Sequence, residues 1–120
     1  MFVENTEVSL LDAAESGNRA AAIAALKRGA DVDTRAPDGT TALLWAAHNG
    51  DADLSKELIA AGASVDAQNE FGAFALSEAA IVGAAPVIAV LLDGGANPNA
   101  TNREGETPLM VVARTGNVEV

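Results

Sequence analysis

With 120 residues, 49% of them apolar, the chain has material for one domain, but one Trp, three Phe and no Tyr leave Ala, Leu, Val and Ile to fill its core. Seventeen acidic against seven basic residues give a formal charge of −10 and a pI near 4.2, so phosphate backbones and anionic lipid headgroups are repelled, and neither nucleic acid nor a membrane surface is an expected partner. The absence of Cys removes disulfides and thiolate metal sites. The acidic opening MFVENTEVSL does not read as a signal peptide, and no stretch has the length of a membrane span, so a cytoplasmic location is favoured.

In chain order, the first predicted helix runs from roughly Val8 to Ser16, followed by the alanine-rich RAAAIAALKR as a second. After the turn dipeptide Asp38-Gly39, Thr41 can cap a helix over Ala42 to His48, which Asn49-Gly50 ends. A further helix spans about Asp51 to Ala61, with Leu54, Leu58 and Ile59 on one face, and Gly62 stops it. Ala63 to Glu70 runs out as an extended loop towards Gly72. Pro86 stands near the start of a later helix, where its missing N–H does no harm, and Val87, Ile88, Leu91 and Leu92 form the strongest apolar face in the chain. Glu106 to Thr115 supplies one more helix, and Gly116 to Val120 begins another. Nothing in those last residues covers Leu109, so the natural protein is expected to continue, or this end to pair with something; a monomer or end-to-end association follows.

Shifting the sequence against itself by thirty-three residues aligns Leu10, Leu43, Leu76 and Leu109, then Gly17, Gly50, Gly83 and Gly116, then Gly29-Ala30, Gly62-Ala63 and Gly95-Ala96. One fixed period with recurring glycines and leucines is the mark of stacked repeats. These residues resemble the ankyrin repeat. Gly105-Glu106-Thr107-Pro108-Leu109 keeps that family's opening, Gly39-Thr40-Thr41-Ala42-Leu43 keeps it with Ala for Pro, and Gly72-Ala73-Phe74-Ala75-Leu76 has lost both Thr and Pro. Leu91-Leu92 and Leu58-Ile59 occupy the paired-leucine positions, and Gly29-Ala30-Asp31-Val32-Asp33 and Gly95-Ala96-Asn97-Pro98-Asn99 match the closing run. The resemblance implies an all-α, ankyrin-like repeat solenoid of helix-turn-helix units with projecting loops. It implies a single domain over residues 1–120, with units at about 6–36, 37–69, 70–102 and 103–120, the last incomplete.

Departures from the pattern carry expectations of their own. The family's His is Leu11, Leu44, Ser77 and Met110 here, so the hydrogen bonds it makes to neighbouring loops are missing. Phe74 on a Thr site predicts a less tightly fixed first turn in its unit, with the ring in the interior. Ser55, where a buried aliphatic belongs, predicts a rotated or locally weak helix.

Catalytic chemistry finds little support. His48 is the only His, and helical spacing puts Trp45 and Asn49 beside it in place of a nucleophile and an orienting acid. Asp31, Asp33 and Asp38 lack calcium-loop spacing, and LLDGGAN has no phosphate-loop Lys-Ser/Thr, so no cofactor or metal is expected. Asn99-Ala100-Thr101 matches a glycosylation sequon only where the repeat itself places Asn-Ala.

Stacking the first helices of the units aligns three ladders: Asp12, Trp45, Glu78 and Val111; Glu15, His48, Ile81 and Arg114; Ser16, Asn49, Val82 and Thr115. The resemblance implies that this is the concave face, continuous with loop tips carrying Pro37, Asp38 and Thr40; Glu70, Phe71 and Ala73; and Arg103, Glu104 and Glu106, and that a protein partner binds there. The candidate partner-binding residues are Asp38, Thr40, Trp45, His48, Asn49, Glu70, Phe71, Glu78, Ile81, Val82, Arg103, Glu104 and Arg114, and the acidic rim favours a basic partner segment. The expected function is a protein-interaction module with no catalysis of its own; the alternative is the regulatory or targeting segment of an enzyme whose catalytic domain lies beyond residue 120.

Overall fold

The computed structural model describes residues 9–116, and within them the chain forms seven α-helices and no strand: α1 Leu10–Ser16, α2 Arg19–Lys27, α3 Ala42–His48, α4 Ala52–Ala60, α5 Ala75–Val82, α6 Ala85–Asp93 and α7 Pro108–Thr115. The expected extension of the first helix to Val8, and the second helix begun after Gly116, fall on residues outside that range. α1 with α2, α3 with α4 and α5 with α6 form hairpins; α1, α3, α5 and α7 stack as one layer, and α2, α4 and α6 as a second. The result is elongated, 52 × 25 × 21 Å.

Helices of seven to nine residues are marginal alone and depend on caps and packing. Ser9, Thr41 and Thr107 each cap a first-layer helix, their hydroxyls accepting from the N–H of Asp12 (3.1 Å), Leu44 (3.3 Å) and Met110 (3.3 Å). In the second layer Asn18 and Asp51 do the same for Ala21 and Leu54, and Pro86 occupies the first turn of α6 as the sequence predicts.

Small residues set how closely the layers approach. Ala13-Ala14, Ala46-Ala47 and Ala79-Ala80, each one period from the last, are completely buried. Leu10, Leu43 and Leu76 fill the space beneath them, whereas their counterpart Leu109 is 77% exposed. On α6, Val87 and Leu91 enter the core, Ile88 packs against it, and Leu92 turns outwards. On α4, Leu54 and Leu58 are buried while Ile59 packs against α6 near Gly94.

Two expectations are corrected: the rotation of α4, one of the two readings of Ser55, and the loose first turn of α5. α4 is not rotated: Ser55 is fully buried between Leu54 and Leu58, and its hydroxyl donates to the Asp51 carbonyl one turn back at 2.8 Å. The start of α5 is not left loose by the loss of Thr, because Ser77 caps it from the other end of the turn. Phe74 itself is wholly buried, as expected.

The projecting loops are tied to each other at the same period. Asp33 accepts from the Ser64 amide and hydroxyl (2.8 and 3.0 Å), and Asp66 accepts from the Asn97 amide (3.0 Å). Arg35 donates to the Gln68 carbonyl and Gln68 to the Thr101 carbonyl. Polar links thus join neighbouring loops at the repeat period.

Candidate functional site

The site is built around Trp45 on α3. Trp45 is partly buried and packs on the core, and His48 meets its ring edge-on at 5.8 Å between centroids and 83° between planes. His48 Nδ1 lies 3.0 Å from Glu78 Oε1 on α5, which joins the first ladder to the second diagonally.

Clefts open on both sides of Trp45. One, of about 260 Å³, is lined by Asp38, Thr40, Leu44, Trp45, His48, Asn69, Ala73 and Glu78 and lies between α3, α5 and the loop tips above them. The other, of about 560 Å³, lies towards α1 and is lined by Leu11, Asp12, Glu15, Arg35, Pro37, Asp38, Thr40 and Trp45, among others. Trp45 and the loop residues Asp38 and Thr40 form the wall between them.

Hydrogen bonds fix the loop above the clefts. Asn69 Nδ2 donates to the buried Thr40 hydroxyl (3.1 Å), while Asn69 Oδ1 accepts from the amides of Phe71 and Ala73. Thr40 in turn hydrogen-bonds the Asp38 carboxylate through its hydroxyl and its amide, which holds Asp38 below the usual carboxylate range. The next tip is joined on by the Glu70 amide, which donates to the Asp38 carbonyl at 2.8 Å. Asn102 repeats the role of Asn69 one period later, accepting from the Glu104 and Glu106 amides.

The candidate residues separate by what holds them. Phe71, Ile81 and Val82 are exposed by 65, 46 and 42%. Trp45, His48, Glu78 and Asp38 meet at the first cleft. Thr40 lines both clefts but is buried and spends its hydroxyl on the loop. Asn49 reaches back to α1, its amide donating to the Ala14 carbonyl at 3.0 Å, so it ties two helices together at the edge of the face. Arg114 folds onto Glu106 through two bonds of 2.8 and 3.1 Å. Arg103 lays its stem over Gly72, and Glu104 stands exposed at the last tip. The fourth rung of the first ladder, Val111, is buried and presents nothing to the surface.

Asn69 is the positioning residue that sequence reasoning passed over. A signal existed: Asn69 and Asn102 stand one period apart, and the equivalent place in the preceding unit holds Ala36.

Among the described residues, no three His, Asp or Glu side chains converge as a metal site would need, and no helix is long and apolar enough to cross a membrane. Paired short helices in two layers, with loops projecting at one edge, define a helical-repeat protein. The chain matches the family profile of ankyrin repeats (three copies) over residues 10–102, and it belongs to the ankyrin-repeat family. Ankyrin repeats are generally protein–protein interaction modules and typically non-catalytic. No curated protein matches the chain.

Proposed function

We propose that the chain binds a protein partner on the concave face of its first-layer helices and the adjoining loop tips, without catalysis of its own. The observation that carries this is the position of Trp45: a partly exposed aromatic forms the wall between two clefts, and Phe71, Ile81 and Val82 are exposed apolar residues on the next loop tip and on α5. Aromatic anchors beside exposed aliphatic groups concentrate binding energy. The loops that frame them are held by hydrogen bonds before any partner arrives, so little ordering entropy opposes association. The charge of −10 favours a partner segment that is basic.

Affinity capture from lysate of the source organism tests the reading, comparing wild type with a Trp45→Ala/Ile81→Asp double variant. Specific loss of captured proteins by the variant, with unchanged circular dichroism, is the expected result. Equal recovery of every protein removes the concave face from consideration.

A further inference from the structure

The surroundings of Trp45 say more about the partner than net charge does. Carboxylates stand on both sides of the indole: Asp38 and Glu78 line the smaller cleft, and Asp12, Glu15 and Asp38 the larger. Among the described residues nothing hydrogen-bonds the carboxylates of Asp12 or Glu15, and Glu78 bonds His48 through Oε1, leaving Oε2 for another donor. The basic side chains that line the clefts already have partners. Arg35 donates to the carbonyls of Gly39 and Gln68 at 3.2 and 3.1 Å, and His48 pairs with Glu78. Each cleft therefore joins an aromatic wall to carboxylates with free lone pairs, a combination that attracts a guanidinium or ammonium group by cation–π and charge-assisted hydrogen bonding together.

We propose that the two clefts are seats for two basic side chains of one extended partner segment, carried three residues apart and straddling Trp45. This rests on the concave-face reading above and adds the chemistry and spacing of the partner. The spacing follows from geometry. One cleft lies between α1 and α3 and the other between α3 and α5, so the seats are separated by about one interhelical distance, roughly 8–10 Å. A polyproline II segment advances about 3.1 Å per residue and returns to the same face every three residues, so side chains at i and i+3 point the same way about 9 Å apart. Side chains on adjacent residues point apart and fill only one seat. Arginine suits both seats better than lysine, because its planar fork stacks on an indole while pairing with a carboxylate.

Labelled hexapeptides of one composition and charge provide the test: acetyl-Gly-Arg-Pro-Pro-Arg-Gly carries the spaced pair, and acetyl-Gly-Arg-Arg-Pro-Pro-Gly the adjacent pair. Binding is read by anisotropy of the label, and by the emission of Trp45, the only tryptophan in the chain. The spaced peptide is expected to bind about tenfold more tightly than its isomer and to shift Trp45 emission saturably. Asp12→Asn and Glu78→Gln, which change charge with little change in shape, should each weaken the spaced peptide about fivefold and abolish the preference between isomers. Equal affinity for the two isomers, or no saturable binding of either, overturns the proposal. Its failure is distinguishable from failure of the interaction reading: if Trp45→Ala/Ile81→Asp loses captured partners while Asp12→Asn/Glu78→Gln keeps them all, the surface stands and the paired basic seats do not.

Discussion

The Ser77 hydroxyl accepts from the Phe74 amide at 3.0 Å and donates to the Phe74 carbonyl at 2.8 Å, so one buried side chain satisfies both backbone groups at the start of α5. Thr41 and Thr107 hold the equivalent turns from the cap position, where this unit has Phe74. Phe74 fills the core and Ser77 takes over the polar work. Ser77→Ala leaves the buried Phe74 N–H without its side-chain acceptor and is expected to cost about 1–2 kcal/mol. Thermal denaturation should show this as a fall of about 5 °C.

Ser55 presents the opposite case. Its hydroxyl donates to the Asp51 carbonyl, but that carbonyl already accepts from the Ser55 amide at 3.0 Å, so removing the hydroxyl orphans nothing. One period away in either direction stand Ala22 and Ile88, which bracket valine in size. Ser55→Val is expected to stabilise by about 1 kcal/mol and raise the melting temperature by about 3 °C. An unchanged or lowered value would show that the site cannot take the second methyl.

Gly72 and Gly105 occupy the same place in successive loops, with the same φ of 79°. They differ in what lies over them: a Cβ on Gly72 would meet Arg103 Cγ at 2.6 Å and the Arg103 nitrogen at 3.0 Å, whereas nothing lies within 4 Å of Gly105. Alanine at either position pays for a left-handed backbone, about 1 kcal/mol. Gly72→Ala should lose at least about 1 kcal/mol more, since backbone cannot swing aside as a side-chain tip can. Urea denaturation of the two variants side by side isolates the loop-to-loop contact.

Acid titration should reveal the clamp on the last loop. Arg114, and then Asn102, hydrogen-bond the Glu106 carboxylate and hold it below its ordinary value of 4.5. A carboxylate depressed on folding contributes stability that is present above its unfolded value and lost as pH falls through its folded one. Discharge of the net −10 acts in the opposite sense, so wild type alone is ambiguous. The difference between wild type and Glu106→Gln is the clean measurement: constant from neutrality to about pH 5.5, it should shrink below 4.5.

The repeat was legible because it is written in types of residue that have few substitutes. Glycines at turns and leucines in the core recur in register, and the helix Ala42–His48 and its Thr41 cap follow from them directly. The polar substitutions were harder to read. Ser77 and Ser55 look like defects when compared with a pattern, because a sequence does not say which carbonyl or amide a hydroxyl will reach. The site was partly legible for the same reason. Helical spacing placed Trp45 beside His48, but the bond from His48 to Glu78, thirty residues on, depends on how far one unit is offset from the next. Asn49 shows the converse, since spacing put it on the face while its amide turns inwards to α1.

The interaction surface is tested most directly by where a partner touches the chain. A photo-reactive phenylalanine analogue can replace Phe71, at an exposed loop tip, or His48, at the cleft, and compared with Lys56, exposed on α4 in the opposite layer. After irradiation in source lysate, the concave face predicts discrete adducts from positions 71 and 48 and none from 56. The same adducts from position 56, or adducts from 56 alone, would contradict it.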